Sequence, residues 1–256
     1  MARGRDVATP PGSSAIRVAG LRQSYGDWPV LWDLDLQVEW GQSLVLFGAN
    51  GAGKTTLLRV LATQSRPEAG QVLVAGYDHR RQAQAIRRNI GVVGHSGFLY
   101  EDLTCRENLV FYGRLFRVGD IRGRVQAVLS RVGLLQRADQ RVRTLSHGMQ
   151  KRLAIARAIL HQPAILLLDE PEGGLDRESL VMLKGLLEEW TGLGRTAIMT
   201  THNIELGLAW AHRAAVLCNG KLHFQEHSGG PDPSAWQRLV AAATARGPGQ
   251  PLGPQP

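Results

Sequence analysis

A loop rich in glycine and followed by Lys-Thr can cradle phosphate, and this chain carries one at Gly48-Ala-Asn-Gly-Ala-Gly53-Lys54-Thr55. The spacing GxxxxGK[ST] lies between an apolar run, Leu44–Phe47, and a helical pattern, Thr55–Ala62, the strand-loop-helix context that the chemistry needs. Backbone N–H groups of Gly48, Asn50, Gly51, Ala52, Gly53 and Thr56 can surround an anion at the positive end of a helix. Lys54 adds a charge for the β and γ phosphates, and the Thr55 hydroxyl can ligate Mg²⁺. A second apolar run, Ala164–Leu168, ends in Asp169-Glu170 and sets two acids at one strand end, where α/β folds bind ligands. Alone they read equally as an exposed acidic turn. Beside the phosphate loop, Asp169 is expected to hold Mg²⁺ and Glu170 to act as general base on a water.

The elements that position these groups show in the hydrophobic pattern. Leu34, Leu36, Val38 and Trp40 alternate with polar residues and predict a half-buried strand of an N-terminal antiparallel sheet. Gly91–Val93, Ala164–Leu168, Arg195–Thr200 and Ala214–Leu217 are short apolar runs between helical patterns, which predicts a parallel core sheet with crossover helices. Residues 98–160 break that rhythm. Thr104-Cys-Arg-Glu107 is a capping box, and Ile121, Val125, Val128, Leu129 and Val132 recur at helical spacing, so an inserted all-helical lobe is expected there.

The chain of 256 residues is 43% hydrophobic and 20% charged, a globular composition. No apolar run approaches the roughly 18 to 20 residues that cross a bilayer, and no signal-peptide pattern opens the chain, which predicts a cytosolic protein. Cys105 and Cys218 have no metal or disulfide spacing. The formal charge of +8 rests on arginine, since only four of thirty basic residues are lysine. Nine arginines between Cys105 and Arg143 read as a solvated helical face or as a surface beside lipid headgroups, and no nucleic-acid partner is expected. Residues 1–14 and 241–256 read as disordered ends around a domain of 15–240, with a short amphipathic helix over Ser234–Val240.

Leu145-Ser-His-Gly-Met-Gln-Lys-Arg152, just before the acidic strand, resembles the signature LSGGQxxR of the ABC superfamily. Tyr25 is similar to the aromatic that stacks on adenine, Gly173-Gly-Leu-Asp176 to the D-loop, and His202 after Met199-Thr-Thr to the switch histidine. Taken singly, Tyr25 is a strand-end aromatic, His202 a loop histidine and Ser146 a helix N-cap. Their joint order over residues 16–225 carries the resemblance. It implies an α/β P-loop NTPase core with a parallel sheet, an N-terminal antiparallel β-subdomain and a helical lobe. It also implies ATP and Mg²⁺ as cofactors and a head-to-tail pair of subunits. In that pair Ser146, Gly148 and Asp176 serve the ATP bound by the partner, while His202 contacts the γ-phosphate. His147 and Met149 depart from the signature, but Ser146 and Gly148 are kept. His95 stands where the family has the Q-loop glutamine and is expected to couple the site to a partner.

Gly91–Leu109 and Thr200–Leu208 are most similar to the ATP-binding subunit of the heme exporter used in bacterial cytochrome c maturation. That resemblance implies a peripheral subunit on the cytoplasmic face of the membrane, bound to integral permease subunits. Exporters of drugs or other substrates share much of the pattern. The rivals are a soluble ABC factor on ribosomes or DNA and a small-molecule kinase, and the signature segment argues against the kinase.

Overall fold

Strands buried on both faces organise the molecule. The computed structural model describes residues 14–94, 97–225 and 233–245. The expected unstructured start as far as residue 13, His95, and the tail beyond 245 lie outside the described residues.

Two antiparallel strands, β1 (Ile16–Tyr25) and β2 (Trp28–Val38), open the chain. β3 (Ser43–Phe47) leads through the glycine loop into α1 (Lys54–Leu61). β4 (Ala69–Val74), β5 (Tyr77–Asp78), α2 (Ala83–Asn89) and β6 (Ile90–Val93) follow. Three helices then occupy the middle: α3 (Cys105–Leu115), α4 (Ile121–Arg131) and α5 (His147–Ile159). β7 (Ile165–Asp169), α6 (Arg177–Gly192), β8 (Thr196–Thr200) and α7 (Ile204–Trp210) return to the core. β9 (Arg213–Cys218), β10 (Lys221–Gln225) and α8 (Pro233–Ala245) complete it.

The first sheet has the order β2-β1-β4-β5 and the second β10-β9-β3-β8-β7-β6. In the second sheet β9, β3, β8, β7 and β6 run parallel, with β10 antiparallel on the edge. This is the expected α/β architecture with its antiparallel N-terminal sheet. β3, β7 and β8 are buried at every residue, which explains why they read as continuous apolar runs. Their side chains nevertheless alternate. Val45, Phe47, Leu166 and Leu168 face a core shared with the helices, whereas Leu44, Leu46, Ile165 and Leu167 face a core shared with α1 and the first sheet.

The helical segment is held together and tied to this sheet by side-chain hydrogen bonds to the backbone. Thr104 and Glu107 form the capping box of α3. The Arg124 guanidinium donates to the Leu160 and Ile159 carbonyls at 2.8 and 2.7 Å, satisfying the last turn of α5. Arg157 donates to the Val92 carbonyl at 2.6 Å and lies 5.2 Å from the ring centroids of Phe98 and Tyr112. α5 is thereby tied to the end of β6.

The C-terminal helix corrects one boundary. α8 covers the expected Ser234–Val240 helix but continues through residues 241–245, past the expected domain end at 240. Trp236 is buried, 5.5 Å from the Phe47 ring, so tertiary packing anchors the segment. The alanines that follow extend the helix at low cost.

His161, just past α5, stacks on Phe116 at 3.9 Å and its Nε2 lies 3.0 Å from the Ile90 carbonyl. Burial is the main cause, with Arg157 and Arg124 adding to it, that lowers its pKa from 6.5 to about 4. The unfolded chain takes up this proton first, so the stabilisation from neutral His161 is full above the unfolded pKa and is lost as pH falls from 6.5 toward about 4. His161→Gln should flatten the fall in melting temperature across that window relative to the unsubstituted protein, as thermal unfolding at stepped pH will measure.

Candidate functional site

The C-terminal ends of β3, β7 and β8 lie side by side, because these strands are parallel neighbours in the order β3-β8-β7. Each delivers one part of the site. The glycine loop follows β3, the acidic pair ends β7, and Thr200-Thr-His202 ends β8.

Lys54 is buried at the start of α1, its Nζ donating to the Gly48 and Ala49 carbonyls at 2.7 and 3.0 Å. Desolvation lowers its pKa, opposed by the charges of Glu170 and Asp169. Gly53 is the N-cap, with a φ of +103°, and a β-carbon there would lie 2.9 Å from both Val30 Cγ1 and Leu31 Cδ2. Only glycine lets the loop pack this closely on β2. No side chain caps α1, whereas Thr104, Asp120, Ser146, Asp176 and Asn203 each cap the helix that follows them. The first amides of α1 are thus available to an anion. Thr56 is buried behind the loop, while Asn50 and Gly51 are exposed on it.

Thr55 Oγ1 donates to Asp169 Oδ2 at 2.8 Å, and Thr200 Oγ1 donates to Asp169 Oδ1 at 2.6 Å. A hydroxyl beside a carboxylate is the hard oxygen donor set that Mg²⁺ takes when substrate phosphates and water complete its shell. The residues fit that ion.

Glu170 stands just past β7 with a φ of +47°, an unusual backbone for a residue with a side chain. Its N–H donates to Thr200 Oγ1 at 3.1 Å and its carbonyl accepts from Lys151 Nζ at 3.0 Å. Its carboxylate lies 2.6 Å from His202 Nε2, within range of a short, charge-assisted hydrogen bond. The two groups that the sequence placed 32 positions apart therefore meet directly.

The remaining sequence-derived candidates fall outside this cluster. Ser146 is the exposed N-cap of α5, accepting from the Met149 N–H at 3.3 Å. Gly148 follows on the first turn, where an added β-carbon would lie 2.7 Å from the Gly174 carbonyl, so the signature turn is packed against the D-loop. Asp176 is exposed and caps α6, accepting from the Ser179 N–H at 2.9 Å; hydrogen bonding with the Ser179 side chain, and then with this N–H, holds its pKa down. Tyr25 ends β1 with half its surface exposed. His95 lies outside the described residues.

Sequence reasoning missed three groups. Thr200 joins β8 to both acids. Lys151 reaches from α5 to the Glu170 carbonyl, with its pKa lowered by desolvation and raised in part by Glu172, Asp169 and Glu170. Glu172 accepts from the Thr201 hydroxyl, linking the D-loop to the residue before His202. The available signal was two threonines ending an apolar strand at the sheet edge that also carries Asp169.

Comparison with known proteins agrees with this geometry. The ABC transporter family profile matches residues 31–173. The daunorubicin resistance ATP-binding protein DrrA3 of Streptomyces coeruleorubidus is 39% identical over 211 residues, covering 82% of this chain and 67% of the relative. The Nod factor export ATP-binding protein I of Ralstonia nicotianae is 36% identical over 219 residues, covering 83% and 68%. A solved dimeric ATP-binding cassette, in a post-hydrolysis state bound to ADP and Pi, superposes with a TM-score of 0.76. It is 26% identical and covers 84% of this chain and 99% of that one.

The Thr200 hydroxyl serves Asp169 and the Glu170 amide at once. Thr200→Val should lower stability by about 1–3 kcal/mol in chemical denaturation, the cost of removing a buried donor, and Thr200→Ser should restore it.

Proposed function

The chain belongs to the ABC transporter family, and from that premise we propose that this ATP-hydrolysing domain pairs head to tail with a second copy and powers a separate membrane exporter. The observation that carries the reading is the convergence of Lys54, Thr55, Asp169, Glu170 and Thr200 at one sheet edge, with His202 on the Glu170 carboxylate.

In this reading the loop amides and Lys54 exchange their internal contacts for the β and γ phosphates of ATP and stabilise charge as it moves onto the leaving ADP oxygen. Thr55 and Asp169 would hold Mg²⁺, which supplies further neutralisation of the phosphates. Glu170 orients the attacking water and accepts its proton as the γ-phosphorus bond to ADP breaks. His202 steadies that carboxylate and faces the γ-phosphate. Ser146, Gly148 and the first amides of α5 serve the nucleotide held by the second copy, and Asp176 lies near the same junction. His95 is assigned to coupling with the permease.

An exposed groove of about 580 Å³ on α3 supports the membrane partner. Leu103, Val110, Phe111 and Leu115 line it together with Arg106 and Arg114, and Leu115 keeps 64% of its surface exposed. Apolar surface of this kind on a hydrolase domain fits a protein partner. Among the described residues, no helix is long and apolar enough to cross a membrane.

The cargo follows the relatives more closely than the local segments. Daunorubicin resistance and Nod factor export favour the drug or other-substrate exporter. Heme export rests only on the segments Gly91–Leu109 and Thr200–Leu208.

Glu170→Gln should retain ATP binding while turnover falls about 10²–10⁴-fold, the usual worth of a general base, in a phosphate-release assay. Near-normal hydrolysis would remove Glu170 from that role. Trapped with ATP in native membranes and gently purified, the same variant should carry a polytopic permease identifiable by mass spectrometry, and Leu115→Glu should release that permease without loss of ATP binding. A heme-export permease would restore the heme reading; ribosomal or DNA-bound partners would overturn transport.

A further inference from the structure

We infer that Trp28 is a second base-contacting residue of the nucleotide site, presenting an aromatic face to adenine beside Tyr25. This rests on the ATP-binding reading above and adds a residue that neither the family pattern nor the loop motif assigns.

Tyr25 and Trp28 are directly opposed partners closing the β1–β2 hairpin across the turn Gly26-Asp27. Opposed residues of an antiparallel pair project to the same face, with β-carbons about 4.5–5.5 Å apart, so both rings stand on one face of the hairpin end. Both are held out in solvent, Tyr25 at 47% and Trp28 at 79% exposure, the latter an expensive placement for the largest apolar side chain. Trp32, the other exposed tryptophan of β2, has the Arg22 guanidinium 4.6 Å from its ring centroid. Trp28 has no such cover among the described residues.

The position of the hairpin relative to the phosphate loop selects the ligand. Gly53 packs against Val30, two residues along β2 from Trp28. At about 3.3 Å per residue the strand carries Trp28 about 7 Å beyond the loop. A ribose bridges a gap of that order between the phosphates at Lys54 and the base at the hairpin. Stacking on an aromatic face suits a purine. Anchoring β2 further, the Trp32 N–H donates to the Gly220 carbonyl at 3.0 Å, so the hairpin is fixed at its far end.

Calorimetric titration of the full chain with ADP and, separately, with pyrophosphate tests the assignment. Trp28→Ala should weaken ADP by about tenfold, the size of one lost base stack, and leave pyrophosphate unchanged, while Trp28→Phe keeps ADP affinity. Unchanged ADP affinity in Trp28→Ala overturns the inference and leaves the ring as a protein contact. Equal weakening of both ligands also overturns it, because the effect would then act through the phosphate loop. Lys54→Ala is the control: it must weaken both ligands, and if it weakens neither, the nucleotide site itself is misplaced and the inference falls with it.

Discussion

The carboxylate of Asp169 is the join on which the site depends. It is buried at the end of β7, takes one hydroxyl from α1 through Thr55 and another from β8 through Thr200, and so locks three elements into one register. A buried carboxylate tolerates little change in its donors, since each missing hydrogen bond costs a desolvation penalty. The distance from the phosphate loop to the acidic pair is therefore set by hydrogen bonds as well as by sheet packing.

From that join the geometry spreads outward. Thr200 passes the constraint to the Glu170 amide, and the left-handed backbone of Glu170 turns its carboxylate to His202. Lys151 brings in the helical lobe by donating to the Glu170 carbonyl, and Glu172 brings in the Thr201 loop. One short segment after β7 thus touches α5, β8 and the loop before α7. A shift in any of them is felt at the proposed general base, a connection suited to a domain whose hydrolysis is proposed to answer to a partner.

The departures from the signature pattern have local accommodation. His147 replaces a glycine, and its ring lies where a β-carbon on Gly174 would stand 2.4 Å away, so the larger residue on one loop is matched by a bare backbone on the other. Ser146 still caps α5. Ser146 and His147 at the start of that helix are exposed, as the trans-site proposal requires.

Much of the fold was legible because it is local. Strands buried on both faces leave continuous apolar runs, the capping box needs only Thr104 and Glu107, and the phosphate loop is a backbone shape that Gly53 and Lys54 encode within eight residues. The linear order of signature, acids and histidine was enough to identify the family. Tertiary structure alone decided which of these meet. The pairing of Glu170 with His202, the double duty of Thr200, the reach of Lys151 and the burial of Trp236 that carries α8 to Ala245 all join residues distant in sequence. Spacing along the chain specifies periodicity and turns. Contacts across it follow from strand order and core packing, which no local pattern contains.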